Sequence, residues 1–255
     1  MNMKSVLGLV CLLLGNLTVC AAGSTAFEQA NREFQAGHFA TAAASYEKLL
    51  AAEGPRAAVY YNLGNSYQRI GQYGHAILAY ERARLLAPRD PDLAANLGLA
   101  RKAAAAFEES GGYPHLDAAA NYLSRNEWSW LVAGGALFLG GLAAGCGIFG
   151  LPRRGLRQAA LTVAGLAVFG MIAGSAALYH RRGEAGHGIV LSDKAEVRLS
   201  PFDKAEALGS PGIGRTVHIR DHSGGFSYIE VPGTNLHGWV TDKDVAGIET
   251  EAGMK

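Results

Sequence analysis

Three histidines near the C-terminal end, His218, His222 and His237, are the residues best suited by type to hold a metal ion. Imidazole nitrogens bind zinc or copper where two or three of them converge. Their spacing is not that of a helical ligand pair, because the stretch alternates as strand and turn, and no cysteine lies near them. They are expected to be surface histidines, with no metal. The parts of a hydrolytic triad are present, but no Gly-x-Ser-x-Gly elbow, phosphate loop or His-Glu-x-x-His motif groups them. No catalytic residue and no cofactor is assigned, and the chain is expected not to be an enzyme. Of the three cysteines, Cys11 and Cys20 lie in an apolar leader and Cys146 in a long apolar run, so none offers a disulfide framework, a CxxC motif or a thiolate site in a soluble part. Net charge is +1, which gives no broad field for nucleic acid or acidic substrates.

The remaining chemistry is that of binding. Two long apolar runs, Trp128 to Leu151 and Ala159 to Tyr179, hold no charged side chain. A helix rising about 1.5 Å per residue crosses a bilayer core of about 30 Å with roughly 20 apolar residues, so each run is long enough. Arg153, Arg154 and Arg157 lie around the bend between them and are expected to hold it in the cytoplasm. Ser124-Arg-Asn-Glu127 forms a capping box at the start of the first run, followed by Trp128 and Trp130 at a depth that suits indoles. Gly141 and Gly145, and Gly170 and Gly174, put small residues four apart in each run. They either associate with a membrane partner or pack the two helices on each other, and the second is favoured. With no ionisable residue inside a span, a pump or charged-substrate transporter is not expected.

The N-terminus has a Lys4 start, an apolar stretch and a small-residue exit, as in a secretory signal peptide cleaved after Ala22. The alternative is a lipoprotein site at Cys20, although Val19 stands where a small residue is expected. The leader would send both soluble arms to the outer side, periplasmic in a bacterium.

From Phe27 to Phe107 the chain repeats itself. Gly37 and Gly71, Ala42 and Ala76, and Tyr46 and Tyr80 are each 34 residues apart. The second copy, with Tyr60, Leu63, Gly64, Tyr67, Gly71, Ala76, Tyr80, Ala83 and Pro88, closely resembles a tetratricopeptide repeat. Gly64 and Ala76 are small where two helices cross, Tyr67 and Tyr80 fill the space around them, and Pro88 ends the second helix. Asp90 and Pro91 restart a helix as cap and first residue, and this capping helix is expected to run to about Glu109. In the weaker first copy Gln29 and Glu33 replace Leu63 and Tyr67, and Phe27 and Phe34 are expected to supply the apolar face. The resemblance implies peptide binding on a concave face offering Asn31, Asn62, Asn65, Arg69 and Lys102. Asn31 and Asn62 fall where some such domains clamp a C-terminal carboxylate, but Asp92 and Asn96 stand where the completing basic residues belong. The other reading is that these amides satisfy local groups or water.

From Gly188 onward short alternating runs are separated by turn residues, as in a small all-β domain. Ala195-Glu-Val-Arg198, Pro201, Leu208-Gly209, Gly224-Gly-Phe226 and Gly238-Trp239-Val240 resemble, in that order, a bacterial SH3-like domain. That resemblance implies a barrel that binds peptides, proteins or peptidoglycan. Phe226, Tyr228 and Trp239 either form its binding face or belong to the core and the closure of the barrel.

The expected architecture is a multi-domain membrane protein with an all-α tetratricopeptide repeat arm, a transmembrane helical hairpin and a small all-β SH3-like barrel. Its expected bounds are signal peptide 1–22, repeat domain 25–109, linker 110–126, spans 127–151 and 159–179 around a loop at 152–158, and SH3-like domain 187–247. This order of modules resembles the BatE family of bacterial aerotolerance operon proteins. The resemblance implies an inner-membrane scaffold whose partners are von Willebrand factor A-type Bat proteins and a MoxR-type ATPase system. The alternative role is a peptidoglycan anchor acting through the SH3-like domain.

Overall fold

The computed structural model describes residues 25–106, 119–149, 154–182 and 186–249. The expected leader with Cys11 and Cys20, residues 110–118 of the expected linker, and Arg153 in the expected bend lie outside the described residues. The chain divides into two units. One holds the N-terminal helices and the C-terminal strands, and the other holds the two long helices with the segment 85–89.

The first unit begins with five helices: α1 (25–35), α2 (Phe39–Glu53), α3 (Ala57–Arg69), α4 (Tyr73–Leu86) and α5 (Pro91–Ala103). The 34-residue period is visible in how the helices stop. After α1, Gly37 N–H donates to Phe34 O and His38 N–H to Glu33 O. After α3, Gly71 N–H donates to Gln68 O and Gln72 N–H to Tyr67 O. Both are the paired closure that needs a left-handed residue, and both glycines supply it, at φ +82° and +76°. The same closure ends α5, where Ala105 N–H donates to Lys102 O and Ala106 N–H to Arg101 O. The capping helix therefore stops at Ala103, not near Glu109, because the third copy turns in register with the first two. The residue that must adopt the left-handed conformation there is Ala105, at φ 51°.

At its other end α5 starts as expected. The Asp90 side chain accepts from the N–H groups of Asp92 (3.0 Å) and Leu93 (3.2 Å), with Pro91 in the first turn. Ala42, Ala76, Tyr80 and Ala83 are fully buried, and Tyr60 and Leu63 nearly so. A Cβ on Gly64 would stand 2.5 Å from the Tyr80 ring, so the smallest side chain is what lets this ring lie on α3. Tyr67 is only half-buried and bonds Glu47 of α2. Pro88 is half-buried beyond the end of α4.

Seven antiparallel strands complete this unit: β1 (His187–Val190), β2 (Val197–Arg198), β3 (Ala207–Gly209), β4 (Thr216–Ser223), β5 (Phe226–Glu230), β6 (His237–Thr241) and β7 (Val245–Gly247). They form one sheet in the order β3-β2-β6-β5-β4-β1-β7. The sheet is open, which differs from the closed barrel the resemblance implies. Its first edge, β3, has three residues, all exposed. At the other edge the Gly247 carbonyl beside β1 is taken by a side chain of α4. Strong coiling still gives one core, in which Val197 of β2 and Val245 of β7 join Val190, Val217, Ile229 and Val240 from the strands between them. Gly238 permits the tightest crossing, since a Cβ there would stand 2.5 Å from Arg198 O.

The second unit is built on α6 (Arg125–Phe149) and α7 (Arg154–Arg182). The capping box forms: Ser124 N–H donates to Glu127 Oε2 (2.8 Å) and Glu127 N–H to Ser124 Oγ (3.3 Å). Trp128 Nε1–H donates to Ala120 O at 2.9 Å, and Arg89 pairs with Glu127. Arg125–Cys146 and Arg157–His180 are long and apolar enough to cross a membrane. Most of the loop expected at 152–158 is helical, because α7 already begins at Arg154 and nothing after Pro152 interrupts it. Gly170 and Gly174 face α6, where a Cβ would meet Leu131 and Val132. Gly135 meets Met171 in the same seam, whereas Gly141 and Gly145 have nothing within 4 Å. One small-residue pair thus packs the helices together and the other does not.

Candidate functional site

The expected concave-face amides are locked to one another. Asn31 Oδ1 accepts from Tyr46 OH (2.6 Å) and from Asn62 Nδ2 (3.0 Å). Asn65 Oδ1 accepts from Tyr80 OH (2.7 Å) and from Asn96 Nδ2 (3.1 Å). The two clusters are one motif shifted by 34 residues: Tyr46, Asn31 and Asn62 become Tyr80, Asn65 and Asn96. Each ties the first helix of one repeat to the first helix of the next, with the tyrosine of the intervening second helix as the buried donor. Asn96 also donates to Tyr61 OH at 2.8 Å. Burial pushes the Tyr46 phenol up to about 12 and raises Tyr80 as well.

Sequence reasoning selected Asn31, Asn62 and Asn65 as ligand contacts and passed over their pairing with each other, with Asn96 and with the tyrosines. The signal was present, since Asn31 to Asn65 and Asn62 to Asn96 have the same offset as Tyr46 to Tyr80. Among the expected cations, Arg69 is exposed and stacks over the Phe39 ring (4.5 Å), and Lys102 is exposed. Leu99, one repeat beyond Asn65, is 56% exposed and adds an apolar residue to this face.

The sheet carries the second candidate, an open cleft of about 570 Å³ lined by His218, Arg220, Tyr228, Glu230, Leu236 and His237, with the 231–235 turn as its rim. Tyr228 reaches it, and Trp239 stands edge-on to the Tyr228 ring with centroids 5.4 Å apart. Phe226, the third expected aromatic, is buried. Across the floor, Arg220 pairs with Glu230 at 2.9 Å. The cleft can hold a polar ligand against an aromatic wall.

The three histidines are dispersed. His218 stands edge-on to His187, His222 bonds Ser227, and His237 lies beside Tyr228. Among the described residues no group of three or more His, Cys, Asp or Glu is placed to hold a metal. Folding does bring Ser227, His222 and Asp242 together, but in the wrong order for catalysis. Ser227 is buried and donates to Asp242 at 2.6 Å, while His222 Nδ1 lies 2.9 Å from the serine oxygen and 3.9 Å from the same carboxylate. A nucleophile needs its hydroxyl proton directed to the imidazole and its oxygen open to substrate.

Residues 57–90 match the tetratricopeptide repeat. This match covers α3, α4 and the turn that follows, and such repeats are a non-catalytic protein-interaction motif. No curated protein matches the chain.

Proposed function

We propose that this protein is a non-enzymatic, membrane-anchored scaffold that binds protein partners through its repeat helices. The observation that carries this reading is the tetratricopeptide repeat at 57–90 in a chain that also holds two helices of membrane-crossing length. In the finer reading the anchor lies in a bacterial inner membrane with both soluble parts periplasmic, and the C-terminal strands are an SH3-like module. The partners are then von Willebrand factor A-type Bat proteins and a MoxR-type ATPase system of an envelope stress or aerotolerance complex. Recovery of the detergent-solubilised full chain with its partners, followed by mass spectrometry, tests this. Absence of any partner of those two types would remove the complex from the proposal. Reporter fusions test the topology, and a C-terminal fusion active only in the cytoplasm refutes the hairpin.

A second reading, a peptidoglycan anchor, is favoured by the aromatic-walled cleft at Tyr228. Co-sedimentation of the full chain with purified sacculi, no greater than that of a control membrane protein, would end it.

A further inference from the structure

The repeat helices and the sheet are separated in sequence by both long helices, yet α4 is seated on the sheet. Two glycines make the seat, one on each side. On α4, a Cβ at Gly74 would stand 2.6 Å from Leu191 O and 2.7 Å from Val190 O, so the helix backbone lies directly on the end of β1. On the sheet, Gly214 donates its N–H to the same Val190 O at 2.7 Å. A Cβ there would stand 2.5 Å from Ile77 Cδ1 and 3.2 Å from the methyls of Ala104 and Ala106. Farther along α4, the Arg82 guanidinium donates to Gly247 O (2.8 Å) and Ile248 O (3.2 Å) at the end of β7. These are charge-assisted bonds, stronger than neutral ones.

The 34-residue period supplies an internal comparison. Ala40, Ala44 and Lys48 on α2 are exposed. Their equivalents on α4 are Gly74, Leu78 and Arg82, of which the first two are buried and the third is half-buried. The turns behave in the same way. Ile70 and Gln72 after α3 are exposed, whereas their equivalents after α5, Ala104 and Ala106, are half-buried and buried. The face that the first copy leaves to water is therefore covered in the second, and its residues differ accordingly. Alanine becomes glycine where β1 approaches, a second alanine becomes leucine, and lysine becomes an arginine whose planar fork holds two carbonyls at once. Stacking of the repeats does not call for these changes, since the stack-facing pairs Ala42 and Ala76, and Tyr46 and Tyr80, are identical.

We propose that this face of α4 is an interaction surface whose partner is the C-terminal sheet of the same chain. The repeat and the sheet are then one folding body into which the two long helices are inserted. Completion of the repeat waits for the last strands to be made, because Ile77, fully buried, is covered in part by the sheet at Gly214. The sheet occupies α4 and leaves the first helices of the copies, α1, α3 and α5, to other proteins.

The test uses the full chain in detergent, with a specific protease sequence in place of residues 183–186 and an affinity tag after Lys255. After cutting, capture on the tag should bring the N-terminal part down with the sheet, in particles that hold one copy by light scattering. Gly74→Trp should lower the captured fraction about tenfold or more, as expected when a side chain is forced into a filled contact. Ala40→Trp, the same change at the exposed equivalent on α2, should leave capture unchanged. Should Gly74→Trp fail to fold by circular dichroism, Arg82→Ala decides in its place: it adds no bulk and should lower capture, whereas Lys48→Ala should not. Full release of the parent on cutting, equal capture in the variant and its α2 counterpart, or capture only in particles of two copies would overturn the proposal, the last by assigning the partner to a second chain.

Discussion

Replacing Ala105 by glycine should stabilise the repeat. Ala105 occupies the third of three equivalent turns, 34 residues after Gly71, and is held at φ 51° by the bonds that close α5. An L-residue in the left-handed region loses about 1–2 kcal/mol through contact of its Cβ with the backbone. Glycine removes that strain but adds about 0.4–1 kcal/mol of unfolded-chain freedom. The Ala105 side chain is exposed, so no packing is lost. The net gain is about 0.5–1 kcal/mol. With a urea dependence of about 2 kcal/mol per molar, the midpoint rises by about 0.4 M. Pulse proteolysis of the full chain in detergent across a urea series, following loss of the repeat, measures this. The converse variant Gly71→Ala has open space around its new methyl and φ +76°, so it should lose about 1 kcal/mol through the same mechanism. If Ala105→Gly is neutral or destabilising while Gly71→Ala loses stability, the three turns are not equivalent and the reasoning fails.

Gly64→Ala should cost about 1–3 kcal/mol, because its Cβ would collide with the buried Tyr80 ring, and the same urea series reads it. Gly74→Ala should unseat α4 from the sheet, since the obstructing atoms are the backbone of Val190 and Leu191, and amide exchange should rise along both β1 and α4. Asn31→Ala leaves the buried Tyr46 hydroxyl without its acceptor, for a loss of about 1–3 kcal/mol, while addition of Tyr46→Phe should recover part of it in a double-mutant cycle. The Tyr46 phenol is raised in the folded state, so its contribution is complete below pH 10 and is lost as pH rises toward about 12. Ultraviolet titration should show Tyr46 ionising late in the parent, and unfolding in Tyr46→Phe should depend less on alkaline pH.

Local patterns carried much of the fold in the sequence alone. The 34-residue period, the Asp90-Pro91 start of α5, the Ser124-Glu127 box and the two long apolar runs all act through neighbours within a turn or a repeat. Alternation of short apolar runs likewise marked an antiparallel sheet, but nothing in it said whether the edge strands would meet. That depends on β3 being three exposed residues and on Arg82, more than 160 residues away, reaching the carbonyls of Gly247 and Ile248.

The candidate site divides in the same way. Residue types alone marked Asn31, Asn62 and Asn65 as polar groups on helices, and they marked Tyr228 and Trp239 as available aromatics. Tertiary structure decided that the asparagines accept and donate among themselves, because a tyrosine buried between two helices must place its hydroxyl on an acceptor. It also decided that Phe226 is buried, that Ser227 donates to Asp242, and that Arg82 of α4 reaches the carbonyls of Gly247 and Ile248. Helix stops, caps and repeats are short-range and can be read from spacing. Burial, hydrogen-bond partners and the seat of α4 on the sheet are set by contacts between residues far apart in the chain, which no local spacing encodes.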